Sequence, residues 1–140
     1  MKNHLLALTL ILIPAAALAA RAPDRLLEPV VVPAIGLTAK VEGGRVLLNW
    51  KRYKRDDFYA YELLKSETDA EPAYVPKQSL YSAHGVGDID FEDGKISAGT
   101  CHYRLVVVTK FGDLWVSPVV TLTVGEADLR RSIPTVADFE

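Results

Sequence analysis

A chain of 140 residues with 16 basic and 18 acidic side chains carries a net charge of −2, a balance that favours solubility and argues against a nucleic-acid partner. Its single cysteine, Cys101, excludes an internal disulfide, so the fold must hold by apolar burial and backbone hydrogen bonds. This length suits one domain.

The chain opens with Lys2, an apolar run from Leu5 to Ile13, then Pro14 and small residues to Ala20. This is the layout of a secretory signal peptide, and Ala17-Leu18-Ala19 fits its cleavage pattern. The reading is a signal peptide over residues 1–19 and a secreted or periplasmic chain beginning at Ala20. The apolar run is short for a membrane span of about 20 residues, and no Cys follows it to carry a lipid. No later stretch is long or apolar enough to cross a bilayer, so no membrane span is expected after cleavage. The segment contains Lys2 and no acid, so its removal shifts the net charge to −3.

Residues 20–34 carry Pro23, Pro29 and Pro33 with weak periodicity, which reads as an extended lead-in, with Val30 to Val32 placed for a few edge pairings. Leu37, Ala39 and Val41 alternate with polar residues, as do Val46, Leu48 and Trp50. Gly43-Gly44 lies between the two runs. That is a hairpin of two half-buried strands. Lys54 to Asp57 turns the chain into a third strand, Phe58 to Ser66. Strict alternation there puts Tyr59, Tyr61 and Leu63 on one face and Phe58, Ala60, Glu62 and Leu64 on the other. Glu67 to Lys77, with Pro72 and Pro76, reads as loop. Short strands follow at Ser79 to Ala83 and Asp88 to Glu92. Thr100 to Thr109 is the strongest strand, with Cys101, Tyr103, Leu105 and Val107 inward and His102, Arg104, Val106 and Val108 outward. The turn Lys110 to Asp113 leads into Leu114 to Val124, where Pro118 signals an edge or a bulge and Val120, Leu122 and Val124 face inward. Residues 125–140 lack strand rhythm and read as a mobile or surface-docked tail. Seven short strands with regular turn signals mean an all-β sandwich over residues 35–124.

Several of these segments resemble fibronectin type III domains. Gly36-Leu37-Thr38-Ala39, Gly43-Gly44 and Val46-x-Leu48-x-Trp50 are similar to that family's first hairpin, whose Trp is a core residue. Tyr61 to Ser66 is similar to its third strand. Phe91-Glu92-Asp93, followed by Ala98-Gly99-Thr100-Cys101-His102-Tyr103-Arg104-Leu105, resembles the corner before its sixth strand. The likeness covers Pro33 to Val124 and implies a seven-stranded immunoglobulin-like sandwich with a tendency to bind proteins or glycans. It departs at one point: Cys101 stands where such folds often place a Tyr whose hydroxyl bonds back to the corner. Either Tyr103, one inward position further on, takes the role through a shifted corner or the corner bond is absent, and the sequence leaves both readings open.

Catalysis finds little support. After the signal segment only His84 and His102 remain, and no Ser, Cys or acid sits in a nucleophile motif. Cys101 and His102 are strand neighbours and point to opposite faces, so Cys101 reads as a small apolar filler. The chain is read as not an enzyme, with no catalytic residue, cofactor or metal expected. Asp88, Asp90 and Glu92 share one strand face, but an EF-hand needs Gly sixth and an acid twelfth, where this chain has Asp93 and Gly99. A solvated acidic face is the simpler account. The basic run Lys51 to Arg55 suits an anionic glycan or headgroup, although Asp56 and Asp57 dilute its field.

The apolar residues offer the better candidate. If the third, sixth and last strands share a sheet, its outer face carries Phe58, Leu64, Val106, Val108 and Val119. Phe111 and Trp115 adjoin it at the hairpin. An exposed patch of this kind marks a contact surface, and aromatics make good anchors. The alternatives are that the lead-in or tail covers the face, or that an open strand pairs edge to edge. The leading expectation is an exported, non-catalytic module binding another exported protein through Phe58, Leu64, Val106, Val108, Phe111 and Trp115. The competing ones are a structural subunit that associates with itself, and a glycan-binding module using Tyr53, Phe111 or Trp115.

Overall fold

The computed structural model describes residues 29–130. The signal peptide, the lead-in before Pro29 and the tail beyond Arg130 lie outside the described residues. Among the described residues, nine strands form two sheets packed face to face: β1 (Val30–Val31), β2 (Thr38–Glu42), β3 (Arg45–Asn49), β4 (Phe58–Ser66), β5 (Tyr81–Ala83), β6 (Asp90–Asp93), β7 (Gly99–Thr109), β8 (Leu114–Val116) and β9 (Val120–Val124). The smaller sheet has the order β2-β3-β6. The larger has β1-β8-β7-β4-β5, with β9 also on β7. β8 and β9 are two halves of one interrupted strand, so the sandwich proper has seven strands and β1 is an addition from the lead-in.

Each element follows from local chemistry. Gly43 and Gly44 both take positive φ, +61° and +76°, the conformation a two-residue hairpin demands and that side chains resist. Alternation then carries Val46 and Leu48 inward from β3, with Trp50 just beyond it. They meet Tyr61, Leu63, Tyr103, Leu105 and Val107 from the other sheet in the main core. Trp50 packs edge-on against Tyr61, with ring centroids 5.6 Å apart.

Two register shifts reshape the expected faces. The first falls between Phe58 and Ala60, where β4 leaves strict pairing with β7. Such a bulge breaks the period of two, and Phe58 turns inward against Tyr61, centroids 4.6 Å apart. Tyr59 is pushed out to solvent and meets His84 edge-on. The second lies at Ser117–Pro118. Val106 pairs with Val116, yet Tyr103 pairs with Val120, so β8–β9 holds one extra residue. Pro118 has no N–H to offer the ladder, and the buried Ser117 staples the gap. Its Oγ accepts the Leu105 N–H at 2.9 Å and donates to the Pro118 carbonyl at 2.8 Å.

The lead-in pairs as expected at the edge: β1 runs parallel to β8, Val30 beside Trp115 and Val31 beside Val116. A 3-10 turn, Pro33–Ile35, then carries the chain into β2. Past β9, Glu126–Leu129 forms a second 3-10 turn, and Leu129 packs on the core, so the first part of the expected tail is docked.

Candidate functional site at the upper end of the sandwich

Strand directions define two ends. The Trp50–Asp57 loop, residues 84–89 and the 110–113 hairpin cluster at the end called upper here. The Gly43-Gly44 turn, residues 94–98 and the second 3-10 turn occupy the lower.

The expected contact face is closed. Leu64 is 5% exposed, Val106 0% and Val116 3%; they form a second small core with Tyr74, Val108 and Leu114 packed against it. Tyr74 comes from the loop between β4 and β5, so among the described residues part of the cover is that loop. An exposed patch at Leu64 and Val106 is therefore corrected: the chain supplies its own lid. Val108 is half-buried beside that lid, and Phe58 belongs to the main core, for the bulge reason given above.

Trp115 is also displaced from its expected face. Counting back by twos from Val120 puts it outward, but the extra residue at Ser117–Pro118 reverses the parity. It faces inward beside its partner Val107 and packs on the main core. Phe111 alone of the expected set stands fully open, at 78% exposure. Its turn is hydrogen-bonded: the Thr109 Oγ accepts the N–H groups of Phe111 and Asp113 at 3.3 and 3.0 Å. Gly112 supplies the positive φ, +86°.

Trp115 lines a cavity of about 460 Å³. Val32, Ala34, Ile35 and Val107 give it apolar walls and Tyr53 a second aromatic, while Lys51, Arg52, Lys54 and Arg55 edge it. A shallower depression runs on from Lys54 and Arg55 past Asp57 to Phe111. The Arg55 guanidinium lies 6.0 Å from the Trp115 ring centre, at the reach of a cation–π contact. The Trp115 indole N–H is closed to solvent and has no hydrogen-bond partner, which costs about 1–3 kcal/mol.

Hydrogen bonds fix this end. The Tyr53 N–H donates to the Tyr61 hydroxyl at 2.9 Å, and that hydroxyl donates to the Val86 carbonyl at 2.9 Å. The Lys51 N–H reaches the Ile35 carbonyl at 2.9 Å, and the Lys110 N–H reaches that of Asp57 at 2.8 Å. The Tyr53 hydroxyl donates to Asp57 Oδ1 at 2.8 Å. Burial, then that bond to a carboxylate, pushes the Tyr53 phenol up to about 12.

The lower end is built differently. Lys65 of β4, Asp93 of β6 and Tyr103 of β7 meet across the two sheets. Asp93 Oδ2 lies 2.7 Å from the Lys65 ammonium and accepts the Tyr103 hydroxyl at 2.8 Å. Asp93 Oδ1 accepts the Lys95 N–H at 3.0 Å. Tyr103 thus takes the corner role, bonding to a side chain ten residues upstream. Burial, then the Asp93 carboxylate, drives its phenol far above the ordinary range. Every group is satisfied, so this cluster is structural. Among the described residues, no three His, Cys, Asp or Glu side chains group to hold a metal, and no helix is long and apolar enough to cross a membrane.

In structure, the chain is similar to the sixth fibronectin type III domain of human fibronectin type III domain containing protein 3. The TM-score is 0.51 and the identity 18%, over 69% of this chain and 86% of that domain. The fold is a fibronectin type III-like β-sandwich. Pectate lyase PelI from Erwinia chrysanthemi, solved with tetragalacturonic acid, contains a segment with TM-score 0.49 and 18% identity. That match takes in 61% of this chain and 27% of the lyase. Such identities speak for the fold alone, and fold does not supply function. No family model and no curated protein matches the chain.

The sequence grouped Tyr53, Phe111 and Trp115 as a glycan-binding set and offered the Lys51–Arg55 run apart from them, and the sandwich brings them all to one end. Sequence reasoning missed Val32, Ala34 and Ile35, whose signal was the apolar stretch 30–35 interrupted by Pro33.

Proposed function

We propose that this chain is an exported, non-catalytic binding module that contacts another exported protein through the upper end of its sandwich. The observation that carries this is the contrast in exposure: the outer sheet face is closed by Tyr74, while Phe111 is held open on a hydrogen-bonded turn beside the Trp115 cavity. An exposed aromatic on a hydrogen-bonded turn next to a preformed cavity needs little backbone ordering on binding, which favours a contact role. Export rests on the signal-peptide pattern of residues 1–19.

A photo-cross-linking residue placed at position 111 and expressed in the native envelope tests this reading. A discrete protein adduct formed at position 111 and absent from position 75, an exposed site on the β4–β5 loop, is the expected result. No adduct at 111, or the same adduct at both positions, sinks it. A glycan reading is the second choice, favoured by Tyr53 and Trp115 sharing one cavity with cationic neighbours.

A further inference from the structure

Among the described residues, charge at the Trp115 cavity has one sign. Lys51, Arg52, Lys54 and Arg55 stand along it and no described Asp or Glu lines it, in a chain whose net charge is −2. Among the described residues, only Arg55 of the four has a carboxylate within ion-pair distance, Asp57 at 3.5 Å, and Asp57 is already shared with the Tyr53 hydroxyl. Four cations in five residues repel one another, so an arriving anion gains attraction and also relieves that repulsion. The interior is of the opposite character: Val32, Ala34, Ile35 and Val107 bring no side-chain donor or acceptor to it.

A ligand that satisfies both parts carries an apolar side chain flanked by carboxylates. We propose that the cavity takes an acidic segment of the partner protein, one apolar or aromatic side chain seated against Trp115 and neighbouring Asp or Glu carboxylates on Arg52, Lys54 and Arg55. This deepens the contact reading above and rests on it. A sugar ring fits less well, because its hydroxyls need hydrogen-bonding groups that the aliphatic walls do not offer. The geometry is ready-made: the Lys51 and Tyr53 backbone N–H groups are tied to Ile35 and Tyr61, so little ordering is lost on binding.

The test is a panel of four probes added at low salt to the isotope-labelled chain, read at the Trp115 indole N–H resonance. They are the peptide Glu-Asp-Phe-Leu-Asp-Glu, the same peptide with Gly-Ser replacing Phe-Leu, a version with Lys at all flanking positions, and trigalacturonate. The first peptide alone is expected to move the Trp115 signal. Its affinity should fall about tenfold in Arg55→Glu and in Arg52→Glu, and again when salt is raised. Both arginines are on the surface, and an unchanged urea midpoint verifies that the variants fold. Equal effects from the Gly-Ser peptide reduce the site to bare charge, and equal effects from the Lys-flanked peptide reduce it to apolar trapping; either overturns the proposal. Stronger binding of trigalacturonate, or no response to any probe, overturns it as well. If the panel fails while position 111 still yields its adduct, the acidic segment is wrong and the contact reading survives. If both fail, both fall.

Discussion

Both ends of this sandwich gather tyrosines, lysines and aspartates, yet they put them to opposite use. At the lower end Lys65, Asp93 and Tyr103 come from three strands of two sheets, and each polar group finds a partner within 3.0 Å. At the upper end four cations edge a cavity with one long ion pair among them, and an aromatic ring is held in solvent. The difference teaches that residue type does not mark a site. What separates the brace from the candidate contact end is whether the polar groups are already satisfied.

Substitutions can break that comparison, and the largest effect belongs to the brace. Asp93→Ala leaves the nearly buried Lys65 ammonium without a counter-ion, held by the Lys95 carbonyl at 2.7 Å alone, and should cost about 3 kcal/mol in urea unfolding. A loss under about 1 kcal/mol would show that the lower end is not braced. Leu64→Ala opens a hole under the Tyr74 lid and should cost about 2–3 kcal/mol; an exposed contact residue would lose almost nothing, so this variant separates lid from patch. Tyr103→Phe deletes the cross-sheet hydroxyl and should cost about 1–2 kcal/mol.

A smaller effect comes from pH. The Tyr53 phenol titrates near 12 in the folded chain against 10.0 in a free phenol. Its contribution to stability is therefore complete below pH 10 and is lost as pH rises through about 12. Tyr53→Phe should flatten that alkaline decline, read as urea midpoints across the range; an unchanged slope would remove Tyr53 as its source. Smallest of all, Phe111→Ser should leave stability within about 0.5 kcal/mol. A larger loss would mean that the hairpin ring supports the fold.

Much of the fold was legible because alternation is a direct imprint of burial. Gly43-Gly44 announced its turn, β4 matched residue for residue, and the inward set Cys101, Tyr103, Leu105 and Val107 lies in the core as read. The site was legible only in pieces. Phe58, Tyr59, Ala60 and Tyr61 are all apolar or aromatic, so nothing in the pattern reported the bulge that turns Phe58 inward. Pro118 did signal the second irregularity, but its consequence, a parity flip that moves Trp115 to the other face, depends on how the strand pairs. Tyr74 sits between two prolines in an aperiodic loop, and a lid of that kind leaves no period to read.

Cys101 is 5% exposed and occupies the core beside Tyr103. Cys101 also lines a depression of about 280 Å³ with Ile96 and Thr100, so a small alkylating agent has a slow route to the sulfur in the closed sandwich and a fast one when β7 separates from its neighbours. Modification above that slow baseline is therefore a clock for opening, and the molecule carries it at a single position. Read alongside Leu64→Ala and Asp93→Ala, that clock would tell whether the lid and the brace open together or in turn.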